Sequence, residues 1–465
     1  MSCQALHSPV ASVRPALLAL AGFVLLAPAS FIPLAPVALR AQVAAPADSL
    51  PLSLSQALEI GRQENPSLRQ AGYQRSAAGA GLWQAYGTLL PRVGLQGQAQ
   101  RFDGGTFAFL GGEFEAPSTY TTSYQWNFTH SLLDAGRDLF RIRGARADAR
   151  QAVAAYDLEW WTTRADIQRQ YLEARRQQAL VDQALLEVER RQEHLRQAEA
   201  RYAVGAVTKS DVLEARLSVG QGEVAVLEAR QGRQEAILAL RRLLGGELPP
   251  GAVRLTSDFL VFDPPFDIEN VLARAWERHP SLREIDAQEE GDAANLWIAR
   301  SSYLPSLQFQ YGLSRSLVDT TGFQFSDFNE RGFYAVSLSW QLFDGFSRHY
   351  EASQANAALQ SARAERELRR LEIEESVRAA HSRLRTAHAA WRTNLANVEL
   401  AREDLRLGEG RYETGAGSFL DLLDARVRAS EAETDLIGST YDFYQALVDL
   451  ERASGLDLFP EEAIR

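Results

Sequence analysis

The segment RYAVGAVTKSDVLEAR, residues 201–216, returns with few changes as RYETGAGSFLDLLDAR at residues 411–426. Each copy follows a long stretch of heptad-spaced apolar residues and contains a glycine soon after a tyrosine. A glycine there is typical of the left-handed residue that ends a helix. The pairs Thr208–Asp211 and Ser418–Asp421 then have the spacing of a capping box, which begins a new helix. Each copy is therefore predicted to be the tight turn of a helical hairpin, and the chain carries two such hairpins.

The duplication extends well beyond the turn, which indicates two structural repeats. The matches before residue 92 keep one spacing, and the matches around and after the turns keep a spacing four residues shorter. The aligned pairs are Pro66 with Pro280, Leu68 with Leu282, Trp83 with Trp297 and Pro91 with Pro305, then Tyr202 with Tyr412, Gly205 with Gly415, Asp211 with Asp421 and Arg216 with Arg426. The difference in length falls between Pro91 and Asp134 in the first copy, where we predict a surface loop.

Within these variable segments the apolar residues change from a helical period to a period of two. In YTTSYQWNFT, residues 120–129, aromatic residues and a threonine on one face alternate with uncharged polar residues on the other. The same alternation occurs in RVGLQGQAQ (92–100), SLQFQYGLS (306–314) and GFYAVSLSWQL (332–342). Each repeat thus contributes a hairpin of strands about ten residues long, joined by Gly-rich loops such as DGGTFAFLGG, as in a transmembrane β-barrel. A half-buried soluble sheet shows the same alternation, but the polar faces here are nearly free of charge.

Four strands from one chain cannot close a barrel, and an open strand edge is not stable in lipid. The missing strands must come from other copies of the chain. Two copies would give eight strands, a number whose interior side chains fill. Three copies would give twelve strands and leave a lumen.

After each hairpin, apolar residues recur every seven positions over many turns. They are Val153, Trp160, Ile167, Ala174, Val181, Val188, Leu195 and Tyr202 in the first copy, and Val377, Leu384, Trp391, Val398, Leu405 and Tyr412 in the second. Such a sustained heptad predicts left-handed coiled-coil packing. A helix from Arg137 to Ala203 would be about 100 Å long. The flanking helices Ser55–Leu90 and Thr208–Gly245 would each be about half as long.

The composition and the N-terminus restrict the class of protein. A net charge of −11 over 465 residues argues against a nucleic-acid partner. Residues 1–41 are predicted to be a signal peptide, because Arg14 precedes an apolar run at 15–26 that is too short to span a bilayer. Cys3 is the only cysteine and lies before that run, so we expect neither disulfides nor thiolate metal sites. No catalytic, nucleotide or metal motif is recognisable, so we expect no enzyme activity, cofactor or metal site.

Taken together, these features resemble the TolC-like family of outer-membrane efflux proteins. The marks are ENPSL and HPSL before the second helix, LPRV and LPSL at the strand starts, LLDAGR and LFDGFSR at the strand ends, and the doubled turn. The resemblance implies all-α coiled-coil hairpins plus a transmembrane β-barrel. In a homotrimer, a twelve-stranded barrel with four strands per chain would continue into a periplasmic α-helical barrel. A mixed equatorial region would be built from residues 246–265 and the C-terminus.

The implied organisation divides the chain into five parts. They are the signal peptide 1–41, an N-terminal linker 42–53, a first repeat 54–264 with membrane hairpin 92–133 and coiled-coil hairpin 137–245, a second repeat 265–457 with membrane hairpin 306–343 and coiled-coil hairpin 346–455, and a C-terminal tail 458–465.

By the same resemblance, the protein is expected to be a passive exit duct in the outer membrane, surrounded by lipid and extending into the periplasm. Its partners would be a periplasmic adaptor and an inner-membrane transporter of a tripartite efflux or type I secretion system. The alternative is a secreted periplasmic coiled-coil scaffold protein, which would not require detergent for extraction from an outer-membrane fraction. An adaptor also contains a helical hairpin, but it lacks aromatic membrane strands and this duplicated plan.

The candidate functional residues lie at the turns. Asp421 and Asp424 are one helical turn apart on one face, and carboxylates repeated around a symmetry axis form a ring that selects cations. Helix capping alone explains Asp211 and Asp421 but not Asp424. The resemblance implies that Asp421 and Asp424 form a pore constriction and that Tyr412 and Asp211 link neighbouring coils in the closed state. Gly417 stands where an Arg would complete that link. The residues matching the adaptor contact surface are Val204, Gly205, Ala206, Gly415 and Ala416.

Overall fold

The computed structural model describes residues 50–109, 111–246 and 253–459, so the predicted signal peptide lies outside the described residues. The helices are α1 Leu54–Glu64, α2 Pro66–Gly87, α3 Arg137–Ala203, α4 Lys209–Leu243, α5 Ile268–Arg278, α6 Pro280–Ser301, α7 Ser347–Glu413 and α8 Phe419–Ser454. The strands are β1 Leu50–Leu52, β2 Arg92–Phe102, β3 Thr106–Phe109, β4 Gly112–Glu115, β5 Thr119–Leu133, β6 Val253–Leu255, β7 Ser306–Asp319 and β8 Asn329–Ser339.

The first helix of each repeat is interrupted by a proline. The prediction of one continuous helix from Ser55 to Leu90 is wrong, because α1 ends before Asn65 and α2 begins at Pro66. Proline disfavours the helical conformation in the residue before it and has no N–H to donate. Asn65 is accordingly extended, and its side chain accepts the N–H of Leu68 at 3.1 Å. His279 and Pro280 make the same break between α5 and α6.

The long helices match the heptad prediction. Both α3 and α7 contain 67 residues, and α3 has the predicted bounds. The helix α3 packs along α4, α7 packs along α8, and α3 also contacts α8, so the hairpins of the two repeats lie side by side. Several heptad positions are fully buried along these contacts, among them Ile167, Ala174, Val181, Val377, Leu384 and Val398.

The membrane hairpins predicted from the alternating pattern join into one antiparallel sheet. Its strand order is β2-β5-β7-β8, so the two repeats meet through β5 and β7. Trp126 at the centre of β5 pairs with Leu95 on one side and with Leu313 on the other. The strands β2 and β8 are the edges of this sheet. The segment predicted as a Gly-rich loop contains a small additional hairpin of β3 and β4, whose turn includes Gly111 with a φ of 84°.

In each repeat, the last strand of the hairpin passes into the long helix through the same corner. Two consecutive residues have positive φ, Ala135–Gly136 in the first copy and Gly345–Phe346 in the second. The Asp before each pair accepts the backbone N–H four residues later, at 2.6 Å for Asp134 and 3.0 Å for Asp344. The strand-end motifs of the two repeats therefore encode one structure. None of the helices in the described ranges has the length and apolar character required to cross a membrane.

The middle of the chain contains a small mixed region with two apolar cores. Residues 50–52, which fell in the predicted linker, form β1 and pair in parallel with β6. The hydroxyl of Tyr171 on α3 donates to the carbonyl of Leu52 at 2.8 Å. The second core lies among α5 to α8, where Phe443, Tyr444 and Leu447 are fully buried. The predicted equatorial segment 246–265 is thus part of this region, except that residues 247–252 lie outside the described residues.

Candidate functional site

The two tip turns adopt the conformation that the glycines predict. Gly205 and Gly415 have φ values of 77° and 76°. The N–H of Ala206 donates to the carbonyl of Arg201 at 2.9 Å, and Ala416 repeats this bond at 2.8 Å with Arg411. A Cβ added at either glycine would meet no atom within 4 Å. The requirement for glycine is therefore conformational, and the turns present a small, open surface beside the exposed Val204.

Both predicted capping boxes are present. Thr208 and Asp211 exchange side-chain and backbone hydrogen bonds at the start of α4, at 2.8 and 3.3 Å. At the start of α8, the carboxylate of Asp421 accepts the hydroxyl of Ser418 at 2.8 Å and its backbone N–H at 3.1 Å. These bonds, the hydroxyl first, hold the pKa of Asp421 below its usual value. Asp421 is therefore an ionised helix cap in the isolated chain.

Asp424 has no such role in the cap. It lies exposed one turn further along α8, and Arg428 interacts with it electrostatically. The structure thus places Asp421 and Asp424 on adjacent turns of α8. Their arrangement around a pore axis would require several copies of the chain and stays a prediction. Over the described ranges, no group of three or more His, Cys, Asp or Glu residues is placed to hold a metal ion.

Tyr412 contacts the first hairpin through an arginine. The guanidinium of Arg201 lies 4.8 Å from the centre of the Tyr412 ring, and its Nη1 donates to the Tyr412 carbonyl at 3.5 Å. Among the described residues, no hydrogen bond joins Tyr412 to Asp211, whose carboxylate caps α4 instead. Within one chain, the link at this position is therefore Tyr412 with Arg201.

Gly417 allows a close approach inside the second turn. Its N–H donates to the carbonyl of Arg411 at 3.0 Å. A Cβ at position 417 would lie 3.0 Å from the Cβ of Arg411, which is tighter than an ordinary van der Waals contact. Any side chain at this position, including an arginine, would have to displace the turn slightly.

His194 was not singled out from the sequence, yet it occupies the contact between the two hairpins near their tips. Its ring stacks parallel to Phe419 at a centroid distance of 5.1 Å and lies 6.2 Å from Tyr412. The side chain is buried, and neither ring nitrogen has a hydrogen-bond partner among the residues that the structure describes. Burial, and then the charges of Arg426 and Arg201, lower its pKa to about 4. The sequence offered one indication of this burial. Arg191, His194 and Ala198 are separated by three and four residues, the spacing of one helix face.

Farther from the tips, Glu433 joins three helices. Its side chain is only 8% exposed, and it accepts hydrogen bonds from Arg190 at 3.1 Å, Arg402 at 2.9 Å and Gln183 at 2.6 Å. Burial acts to raise the pKa of Glu433, but the three hydrogen bonds outweigh it and lower the pKa. We call this group the Glu433 clasp, since an ionised carboxylate on α8 holds α3 and α7 together.

Comparison with known proteins identifies relatives over most of the chain. The family model described as "Outer membrane efflux protein" matches residues 57–246 and 271–456. Protein CyaE of Bordetella pertussis is 26% identical over 389 residues, covering 82% of this chain and 79% of that protein. Outer membrane protein TolC of Vibrio cholerae is 23% identical over 412 residues, covering 87% of this chain and 90% of that protein.

Solved structures share the fold at low sequence identity. The CmeC outer membrane channel of Campylobacter jejuni has a TM-score of 0.72 at 16% identity and covers 86% of this chain and 85% of its own. A membrane protein from Pseudomonas aeruginosa has a TM-score of 0.71 at 22% identity, covering 86% and 93%. The mostly helical fold with two long hairpins is therefore the fold of these channels.

Proposed function

Because the chain belongs to the family of outer membrane efflux proteins, we propose that it is the passive exit duct of a tripartite efflux or type I secretion system. Members of this family are transport conduits rather than enzymes, and they span the outer membrane and the periplasm. In the proposed system, a periplasmic adaptor connects the duct to an inner-membrane transporter, which selects the substrate. The outer-membrane family argues against the alternative of a secreted coiled-coil scaffold.

The observation that carries the proposal is the sheet with two open edges. The strands β2 and β8 each have one neighbour in the sheet, and such edges cannot face lipid. Three copies related by a threefold axis would pair β8 of one chain with β2 of the next. The resulting twelve-stranded barrel would leave a lumen, and α3 and α7 would continue from it as a helical barrel.

One face of the sheet suits contact with outer-membrane lipid. Alternate residues on the edge strands are apolar and exposed in the single chain, including Val93, Leu95, Val336 and Leu338. An apolar band of this kind faces lipid in transmembrane barrels.

At the opposite end, the hairpin tips supply the proposed gate and docking surface. Three copies would bring six carboxylates from Asp421 and Asp424 to one constriction, with Tyr412, Asp211 and Gly417 beside it. The adaptor would contact the tip turns, formed by Val204, Gly205, Ala206, Gly415 and Ala416. The exposure of Val204 and the open space around both glycines support this assignment.

The assembly is tested with the purified mature protein in mild detergent. We expect a trimeric mass by light scattering after subtraction of the detergent, and ion conductance after reconstitution into planar bilayers. A monomeric mass under these conditions contradicts the proposal, since one chain cannot close the sheet.

The docking surface is tested by substitution of its glycines. Gly205→Val and Gly415→Val should impair export while the trimer forms, because a β-branched residue with positive φ is strained by about 1–3 kcal/mol. Gly410→Val is the matched control, since Gly410 is helical and also has open space around it. Export is measured together with crosslinking to the adaptor. Normal export and crosslinking in both turn variants would show that the adaptor docks elsewhere.

A further inference from the structure

The contact between the two hairpins near their tips, formed by His194, Tyr412 and Phe419, has an unusual polar composition. We call it the distal seam. A histidine that is 6% exposed lies there between two aromatic rings, and within the described part of the chain both its ring nitrogens lack hydrogen-bond partners. A buried polar group without hydrogen bonds is costly, so packing alone does not account for a histidine at this position. A cavity of about 580 Å³ borders the ring, which gives it room to move.

We propose that the distal seam is an acid-sensitive latch, in which neutral His194 allows the two hairpins of a chain to pack and protonated His194 separates them. The neutral ring stacks on Phe419. A charged ring in the same place would have no hydrogen-bond acceptor among the described residues and would lose its hydration. Separation of the hairpins exposes the ring to water and removes this cost.

The charges around the ring favour the same outcome. The titratable and charged groups around it lie on four helices: Glu187, Glu189, Arg190, Arg191, Glu193, Arg196 and Arg201 on α3, Glu214 on α4, Glu409, Tyr412 and Glu413 on α7, and Arg426 on α8. Three of the carboxylates are already paired, Glu187 with Arg191 at 3.0 Å, Glu409 with Arg426 at 3.3 Å, and Glu193 with Arg196. Glu189, Glu214 and Glu413 are exposed. Protonation would therefore add a third positive charge beside Arg201 and Arg426.

Linkage gives the direction and the size of the response. The closed seam lowers the pKa of His194 from 6.5 to about 4, so the open seam binds the proton more tightly. The ratio of open to closed seam should then rise by roughly thirtyfold per chain between pH 7.5 and pH 5. The response begins below pH 6.5 and saturates below about pH 4.

The Glu433 clasp confines the opening to the tips. Arg190 of the clasp lies one turn from His194 on α3, and the pKa of Glu433 is lowered, so the clasp stays ionised at pH 5. The helices α3, α7 and α8 thus remain joined at the clasp, while the last turns near the tips separate. If the tips form the gate, as the proposed function requires, mild acid should favour the open channel.

The proposal is tested by two independent measurements on the assembled mature protein. Because Cys3 is the only cysteine and precedes the predicted mature chain, nitroxide labels at Ser210→Cys and Thr414→Cys, both exposed positions at the tips, report the separation of the two tips. Labelled chains are diluted into unlabelled chains, and the distance is measured at pH 7.5 and pH 5. Channel conductance is recorded over the same pH range. Both are repeated in His194→Gln, which cannot be charged, in His194→Arg, which is always charged, and in the exposed control His349→Gln.

We expect the ratio of separated to closed tips to rise about thirtyfold between pH 7.5 and pH 5 in the parent protein and in His349→Gln. The ratio should not change with pH in His194→Gln, and it should already be raised at pH 7.5 in His194→Arg. A pH response that persists in His194→Gln, or closed tips in a correctly assembled His194→Arg, overturns the latch. Tip separation without conductance at any pH leaves the latch intact and contradicts the exit duct. Conductance without a pH response leaves the duct intact and contradicts the latch.

Discussion

At the scale of single residues, Asp421 and Asp424 are neighbours with different surroundings. Asp421 accepts two hydrogen bonds from Ser418 and caps α8, whereas Asp424 is exposed one turn away. Capping therefore accounts for Asp421 even if no pore exists. A role for Asp424 in cation selectivity depends on the proposed ring. In such a ring, the Asp424 carboxylates of several copies would bind a cation together.

In the proposed trimer, Asp424→Asn alone should weaken both the cation preference of the channel and its block by trivalent cations from the periplasmic side. The repulsion among six carboxylates favours a bound multivalent cation, and the substitution removes three of them. The double variant with Asp421→Asn should show a larger effect. Single-channel recordings measure both properties. An unchanged block in Asp424→Asn would place this residue away from the pore axis.

A related expectation concerns Gly417. If the missing arginine leaves the closed state loose, Gly417→Arg should lower the resting conductance by pairing with Asp211 of a neighbouring coil. Since any Cβ at this position presses on Arg411, Gly417→Ala is needed to separate the effect of the charge from that of the turn.

At the scale of the elements, several polar contacts between α3 and α8 join the two hairpins of a chain, among them Arg169 with Asp449 and Arg176 with Asp442. The Glu433 clasp links α8 to α3 and α7 through a buried carboxylate. Arg190 and Arg402 are largely exposed, so water can solvate them without the clasp. The buried carboxylate of Glu433, in contrast, depends on these hydrogen bonds to remain ionised.

We expect Glu433→Gln to weaken the packing against α3 of the part of α8 that lies between Phe419 and Glu433. The amide keeps the shape of the side chain but loses the charged hydrogen bonds, which contribute about 1–3 kcal/mol. Amide hydrogen exchange should become faster in the parts of α7 and α8 between the clasp and the tip turn. Glu431→Gln is the matched control, because Glu431 is exposed on the same helix. Equal exchange in the two variants would show that the clasp does not hold the hairpins.

At the scale of the whole described chain, the end of α8 connects the two repeats. Glu451 is 1% exposed and accepts the N–H groups of Leu458 and Phe459 at 2.7 and 2.9 Å. On the other side, Gln168 of α3 donates to it at 3.1 Å. Burial raises the pKa of Glu451 to about 7, against the opposing effects of the Arg164 charge and of the two N–H donors.

This raised pKa predicts how the tail responds to pH. The contribution of Glu451 is present in full below about pH 4.5 and is lost as the pH rises through about 7. The opening free energy of the Leu458 and Phe459 amides should fall by about 2–3 kcal/mol over that range. Glu451→Gln should remove this dependence, whereas Asp442→Asn on the exposed face should retain it. Hydrogen exchange corrected for intrinsic rates measures the effect, and a flat profile in the parent chain would contradict it.

The sequence by itself determined the features that depend on neighbouring residues. The capping boxes, the left-handed glycines, the bounds of α3 and the alternation of the strands all follow from interactions within a few positions, so a local pattern records them. The break at Pro66 is also a local signal, because proline disfavours a helical residue before it. The prediction of one helix from Ser55 to Leu90 passed over that signal. The residues proposed for the gate and the docking turns were also found through a local pattern, the repeated turn, and their roles stay predictions.

Only the tertiary structure decided which distant segments meet. The pairing of β5 with β7, the parallel contact of β1 with β6, and the burial of His194, Glu433 and Glu451 each join parts of the chain that lie some two hundred residues apart. A histidine or glutamate on a charged helix has the same local pattern in water and in a buried contact. Its hydration and its pKa are set by the element that packs against it, and that element is not encoded next to it.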